Sequence, residues 1–211
     1  MRFLLAYLAV LSLLAGGCGG ATAPSNEERL GPVQLVEALQ EGGLVVYLRH
    51  AATDRSQTDL QTHDLTQCDG QRNLTEKGRA QARTIGEAFR ALELPVGEVL
   101  ASEYCRTRQT ADLAFGHFEP DPDLTGFPNE GEPGFARRVA ATRALLGHEP
   151  PPGQNTVLVA HTKNLEASAA VLIEEGELAV FEPLGGEEFR HVGNVPASAW
   201  PQLVAELGPN D

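Results

Sequence analysis

The sequence predicts an α/β fold, a three-layer α/β/α sandwich with a mostly parallel central sheet. Three observations carry that expectation. Short apolar, β-rich runs alternate along the chain with segments of helical period, as in chains built from strand–helix–strand units. Glycine and proline clusters fall at the junctions. Three of the apolar runs stop abruptly on polar residues: Arg49-His50, Ser102 and His161.

The elements follow in order. Pro32 to Leu39 reads as a short helix with proline at its first position, ended by Gly42-Gly43. Leu44 to Leu48 is a compact apolar run, the first buried strand. Residues 51 to 73 are polar and irregular, long enough for a functional loop. Residues 73 to 92 have a helical period, with Ala82, Ile85, Phe89 and Leu92 along one face and Thr75 as the cap. Val96 to Ala101 is the second strand, and a helix follows it through about Phe115. Pro120, Pro122, Pro128 and Pro133 mark a loop before a helix over about Pro133 to Leu146. Asn155 to Ala160 is the third strand, then a helix is expected over 164 to 174 and a hairpin over 177 to 183 and 187 to 193. Pro196 to Leu207 closes the chain as a helix.

The chain has 211 residues, enough for one ordinary domain plus a leader. A net charge of −13 argues against a nucleic-acid partner, which needs a basic face to displace counterions. Any anion site must therefore be a local cluster of cations in an acidic molecule. Residues 3 to 15 form an apolar run after Arg2, too short to span a bilayer but suited to a secretory signal. Gly16-Gly17-Cys18 resembles a lipobox, with Ala15 where leucine is usual, so Cys18 is the expected lipid anchor; the competing reading is an ordinary signal peptide cut near Ala21-Thr22-Ala23, which Pro24 disfavours. The expected organisation is a lipoprotein-type signal peptide over 1–17, a flexible tether over 18–31 and one domain over 32–211. The expected location is therefore outside the cytoplasm, tied to the bacterial cell envelope through a lipidated N-terminus. In such an oxidising compartment Cys68 and Cys105 are expected to form a disulfide, two free buried thiols being the alternative.

In parallel α/β sheets ligands gather at the carboxyl ends of the strands, so the three polar endings should lie side by side. Two histidines among arginines there suit a phosphate group. Arginine offers a planar fork of donors and stays charged, and helix N-termini after the strands add backbone donors. A neutral imidazole can attack phosphorus in line, while a second, protonated histidine would stabilise the phosphoryl oxygens. No residue cluster calls for a metal, and no cofactor is expected.

The residues "LRHAATD", "NLTEKGRAQA", "SEYCRTRQTA" and "VLVAHTKNL" resemble, in order, the signatures of the histidine phosphatase superfamily, with its phosphoglycerate-mutase-like fold. The resemblance spans about residues 43 to 195. It implies that His50 is the nucleophile that becomes phosphorylated, with Arg49, Arg106 and His161 holding the phosphoryl group, and that Arg55 also reaches the phosphate. It implies hydrolysis of a small phosphorylated substrate. Ala51 replaces the usual glycine after the nucleophile, and Thr162-Lys163-Asn164 replaces the Gly or Asp that often follows the late histidine. The glutamate usual in the loop after the second arginine has no clean counterpart, Gly126 falling near its position, so Glu130, Glu132 or Asp123 is the available proton donor. Mutase activity is not expected. "HTKNL" is similar to the lipopolysaccharide core heptose phosphatase branch. The competing reading is an exported lipoprotein with little turnover that binds a phosphorylated ligand.

Overall fold

The computed structural model describes residues 29–60, 64–126, 130–131 and 133–209. The expectations for the leader, for Cys18 and for most of the tether lie outside those residues, and so does Glu132.

The elements are α1 (Pro32–Glu41), β1 (Val45–Arg49), α2 (Glu76–Ala91), β2 (Val96–Ala101), α3 (Cys105–Phe115), β3 (Glu119–Pro120), α4 (Phe135–Gly147), β4 (Asn155–Ala160), α5 (Thr162–Ala169), β5 (Leu178–Gly185), β6 (Glu188–Val195) and α6 (Trp200–Leu207). One six-stranded sheet has the order β3-β2-β4-β1-β5-β6. The first four of these are mutually parallel. The β5–β6 hairpin runs antiparallel along the β1 edge, so the sheet is mostly parallel, as expected.

Side-chain alternation along each strand feeds two cores. Val46 and Leu48 of β1, with Val157 and Val159 of β4, face one side. There they meet Leu35 and Leu39 of α1, Ile85 and Phe89 of α2, Ala111 of α3 and Trp200 of α6. Val45, Tyr47 and Leu158 face the other side with Leu146 of α4 and Leu165 of α5. Strand β4 is buried along its whole length, as a parallel strand covered on both faces must be.

Register sets the functional edge. Arg49 lies opposite Ala160, and Ala101 opposite Val159, so β1, β4 and β2 end level with one another. The backbone N–H of His50 continues the ladder to the Ala160 carbonyl (3.1 Å), and that of Ser102 to the Val159 carbonyl (3.0 Å). The three polar endings therefore emerge side by side.

Short β3 falls where the sequence predicts a loop, and α5 departs further from the sequence expectation. The helix placed at 164 to 174 runs instead from Thr162 to Ala169 and stops at Ala170, whose φ is 54°. Beyond it Val171 and Ile173 are buried while Leu172 is exposed, the alternation of an extended chain. Burial of those two β-branched residues in the second core outweighs helix continuation. The extended segment then delivers Glu174 and Glu175 to the end of β1, where a helix would have carried them elsewhere.

Candidate active site

The loop after β1 is held by residues that read as helix punctuation in the sequence. Thr75 caps α2, its Oγ1 accepting from the Gly78 N–H at 2.9 Å. Its backbone N–H donates to the Ala52 carbonyl at 3.0 Å. A Cβ on Gly78 would stand 2.0 Å from that same carbonyl oxygen, so only glycine lets α2 approach the loop. Gln81 accepts from the Ala52 N–H (2.9 Å) and donates to the Glu175 carbonyl (3.1 Å). From α3, Thr110 accepts from the Ala51 N–H at 3.0 Å. The backbone donors of His50, Ala51 and Ala52 are thus tied to the sheet, α3 and α2 in turn.

Arg49, His50, Asp59, Arg72, Tyr104, Arg106, Gly126, His161, Thr162 and Lys163 line a cavity of about 330 Å³ at this edge. His50 and His161 are 2% and 7% exposed. Their rings stand 5.5 Å apart, edge to face. The Nδ1 of His50 lies 3.0 Å from the Ala51 carbonyl oxygen, which can only accept, so this nitrogen carries the proton and Nε2 keeps its lone pair. Burial pushes the His50 pKa down to about 3; Arg106, Arg49 and Arg72 add to that, against the Ala51 hydrogen bond. The ring is neutral and nucleophilic at any ordinary pH.

His161 caps α5 as its first turn leaves β4. The Tyr47 hydroxyl donates to its carbonyl at 2.9 Å, and its Nε2 pairs with Ser102 Oγ at 2.8 Å. Burial, with the charge of Arg106 and the nearness of His50, holds its pKa well below the ordinary histidine value. Without a bound anion, desolvation among arginines favours the neutral ring.

Arg106 is buried against Tyr104, its guanidinium carbon 4.2 Å from the ring centroid. Its Nη1 donates to Asp59 Oδ1 at 2.9 Å. The Nε groups of Arg49 and Arg106 are buried without a hydrogen-bond partner, as is Thr162 Oγ1. Buried donors of this kind are costly unless an anion accepts from them. The N-termini of α3 and α5 open on the same cavity and favour negative charge there. The arrangement can hold a tetrahedral anion against a neutral imidazole.

Glu175 organises the cations behind the cavity. Its side chain is 12% exposed and lies 4.0 Å from Arg49, 3.8 Å from Arg72 and 3.9 Å from Arg55. Thr53 Oγ1 donates to it at 2.6 Å. Arg55, 72% exposed, reaches this carboxylate from outside the cavity wall. Sequence reasoning misses Glu175, because it places the residue just past a helix that in the structure ends earlier. It misses Asp59 as well, which has no signal beyond its place in a polar loop. Glu130 is exposed and does not line the cavity, and Asp123 pairs with Arg137. Gly126 does line it: a Cβ there would lie 3.3 Å from His161 Cδ2, leaving no space for a longer side chain without movement.

These environments have measurable consequences. Glu175→Gln keeps the acceptor for Thr53 but removes the charge that offsets Arg49 and Arg72. It is expected to lower unfolding stability by about 2 kcal/mol at pH 7, with almost nothing from the exposed Arg55 pair. Urea unfolding curves that coincide with wild type would show that these 3.8 to 4.0 Å pairs contribute nothing.

Acid should act through the histidines. Both have folded-state pKa values below the unfolded value, so below pH 6.5 the unfolded chain binds more protons. Stability is full above pH 6.5 and is lost as pH falls toward 3. For His50 the loss is about 2 kcal/mol by pH 5. The melting temperature of His50→Gln is expected to fall less between pH 7 and pH 5 than that of wild type; parallel curves would contradict this.

A family model described as Histidine phosphatase superfamily (branch 1) matches residues 45–130, a stretch that includes His50 and Arg106 but stops short of His161. No curated protein matches the chain in sequence. Among solved structures, a provisional alpha-ribazole-5'-P phosphatase from Escherichia coli str. K-12 is similar with a TM-score of 0.54 and 18% identity, covering 73% of this chain and 98% of that one. A mycobacterial glucosyl-3-phosphoglycerate phosphatase, solved with inorganic phosphate, gives 0.51 at 21% identity, covering 74% and 99%. A protein from Thermus thermophilus gives 0.51 at 23%, covering 72% and 99%. These likenesses show the fold, the phosphoglycerate-mutase-like architecture of histidine phosphatases.

Proposed function

We propose that this chain, which has the histidine phosphatase fold and matches that superfamily's model over residues 45–130, is a phosphomonoester hydrolase working through a phosphohistidine on His50. One observation carries the reading: a buried imidazole with its Nδ1 proton committed to Ala51 shares a cavity with Arg49, Arg106 and His161. The Nε2 lone pair attacks phosphorus, and the ester oxygen leaves in line. Arg49 and Arg106 supply donors to the phosphoryl oxygens, and the α3 and α5 N-termini add their partial positive charge. His161, neutral among these cations, gains a proton more readily once a phosphate dianion offsets them, and then stabilises the same oxygens. Arg72 and, from further out, Arg55 add long-range positive charge. Water then attacks the phosphohistidine and releases orthophosphate. The arginines and dipoles perform the charge stabilisation that a metal would otherwise supply, so turnover is independent of metal.

The leader supports a lipid-anchored protein of the bacterial envelope, with Cys18 carrying the lipid and residues 19 to 31 as the rest of the tether. Export and the similarity of "HTKNL" to the heptose phosphatase branch support envelope phosphoesters as substrates. The test is direct. The purified domain, incubated with an aryl phosphate in EDTA and quenched, should carry an acid-labile, alkali-stable phosphoryl label and turn over unchanged in the chelator. Absence of both label and turnover, with orthophosphate still bound, would leave a phosphate-binding lipoprotein in place of an enzyme.

A further inference from the structure

We infer that Asp59 is the proton donor to the leaving group, an assignment that rests on the phosphohistidine reading above. An alkyl phosphate expels a strongly basic alkoxide unless the ester oxygen is protonated as it leaves, so the site needs an acid at its mouth. Asp59 is the carboxylic residue on the cavity wall among the described residues. Gly126, on the same wall near His161, carries no side chain to donate a proton.

Asp59 is held by two contacts. Its Oδ1 accepts from Arg106 Nη1 and from the Arg72 backbone N–H, both at 2.9 Å. Its side chain is 31% exposed while that of Arg106 is 6% exposed, so the carboxyl sits outside the guanidinium, between the phosphate seat and solvent. In this assignment the leaving group of a phosphate held by Arg106 departs past this carboxyl, which shares the cavity wall with His50. A phosphoryl oxygen entering the cavity competes with Asp59 for Nη1. Once displaced from Nη1, the carboxyl stands beside the phosphoryl group, still anchored by the Arg72 N–H.

The step then balances. The His50 Nε2 pair forms the P–N bond, the P–O ester bond breaks toward oxygen, and that oxygen takes the Asp59 proton and leaves as an alcohol. In the second half the Asp59 carboxylate takes a proton from the attacking water. The new P–O bond forms, and the P–N pair returns to His50.

The test compares leaving groups in rapid-quench experiments that read the formation of phosphohistidine, wild type against Asp59→Asn. With glycerol 2-phosphate the phosphorylation rate of the variant should fall at least about 100-fold. With 2,4-dinitrophenyl phosphate, whose leaving group needs no proton, it should stay within about threefold of wild type. Asp59→Glu, which keeps the acid, should recover part of the glycerol phosphate rate, and circular dichroism melts check that the variants fold. Equal losses on both substrates, or none on either, overturn the assignment. So does a lower KM on both substrates with unchanged rates, which would make Asp59 only a stand-in anion on Arg106. A wild type that labels from the aryl ester but never from glycerol phosphate also overturns it, since no working donor then exists. Failure of wild type to label from either ester strikes instead at the phosphohistidine reading.

Discussion

His50→Ala is expected to lower kcat/KM for an aryl phosphate by at least about 10³-fold and to remove the phosphoryl label altogether. In the proposed mechanism the imidazole is the nucleophile: its Nδ1 proton is committed to Ala51, and burial among arginines lowers its pKa and so leaves Nε2 unprotonated. The other histidine on the wall, His161, has its Nε2 paired with Ser102 and is not placed to replace that lone pair. The arginine seat remains, so orthophosphate should bind the variant within about tenfold of wild type, as read by calorimetry. Loss of turnover with retained binding separates a missing nucleophile from a collapsed site. Turnover within about tenfold of wild type would place the chemistry elsewhere.

The next largest effect concerns the Cys68–Cys105 disulfide, which the structure forms across a sequence separation of 37. Closing a loop of that length restricts the unfolded chain by about 4 kcal/mol, or about 10 °C in melting temperature for a domain of this size. The placement adds a functional cost. Cys105 opens α3 immediately before Arg106, and the bond ties that helix to the loop carrying Asp59 and Arg72. Gln71 and Asn73 brace the same junction, accepting from the Cys105 N–H (2.9 Å) and donating to the Cys68 carbonyl (3.0 Å) respectively. Reduction, verified by thiol titration, is therefore expected to lower melting temperature and to raise KM more than it lowers kcat. Melting and KM both unchanged after complete reduction would show that these hydrogen bonds hold the junction unaided.

Much of the site is legible in the sequence because its residues sit where local rules are strongest. A strand that ends on Arg49-His50, or on His161, declares its own end through the stop of an apolar run. Thr75, Gly78 and Gln81 are visible as the start of a helix, and Ser102, Arg106 and Thr110 as the start of another. Their joint purpose, holding the loop after His50 and facing His161, becomes visible only when α2 and α3 are packed beside β1 and β4. The boundary of α5 differs from the sequence expectation for a physical reason. Residues 164 to 174 are compatible with a helix locally, but the second core draws Val171 and Ile173 into an extended segment.

The sequence by itself determined the order of the helices and of every strand but β3, the three polar strand endings and the pair of cysteines, since periodicity, capping and apolar runs are properties of neighbours along the chain. Tertiary structure alone decided which carboxylates meet the arginines. Asp59 is 47 residues from Arg106 along the chain, and Glu175 is further still from Arg49. The paths of two loops over the sheet edge bring each pair together, and no local rule encodes those paths. Tertiary structure also lowers the His161 pKa, because desolvation and the field of the surrounding groups are sums over space and not over sequence.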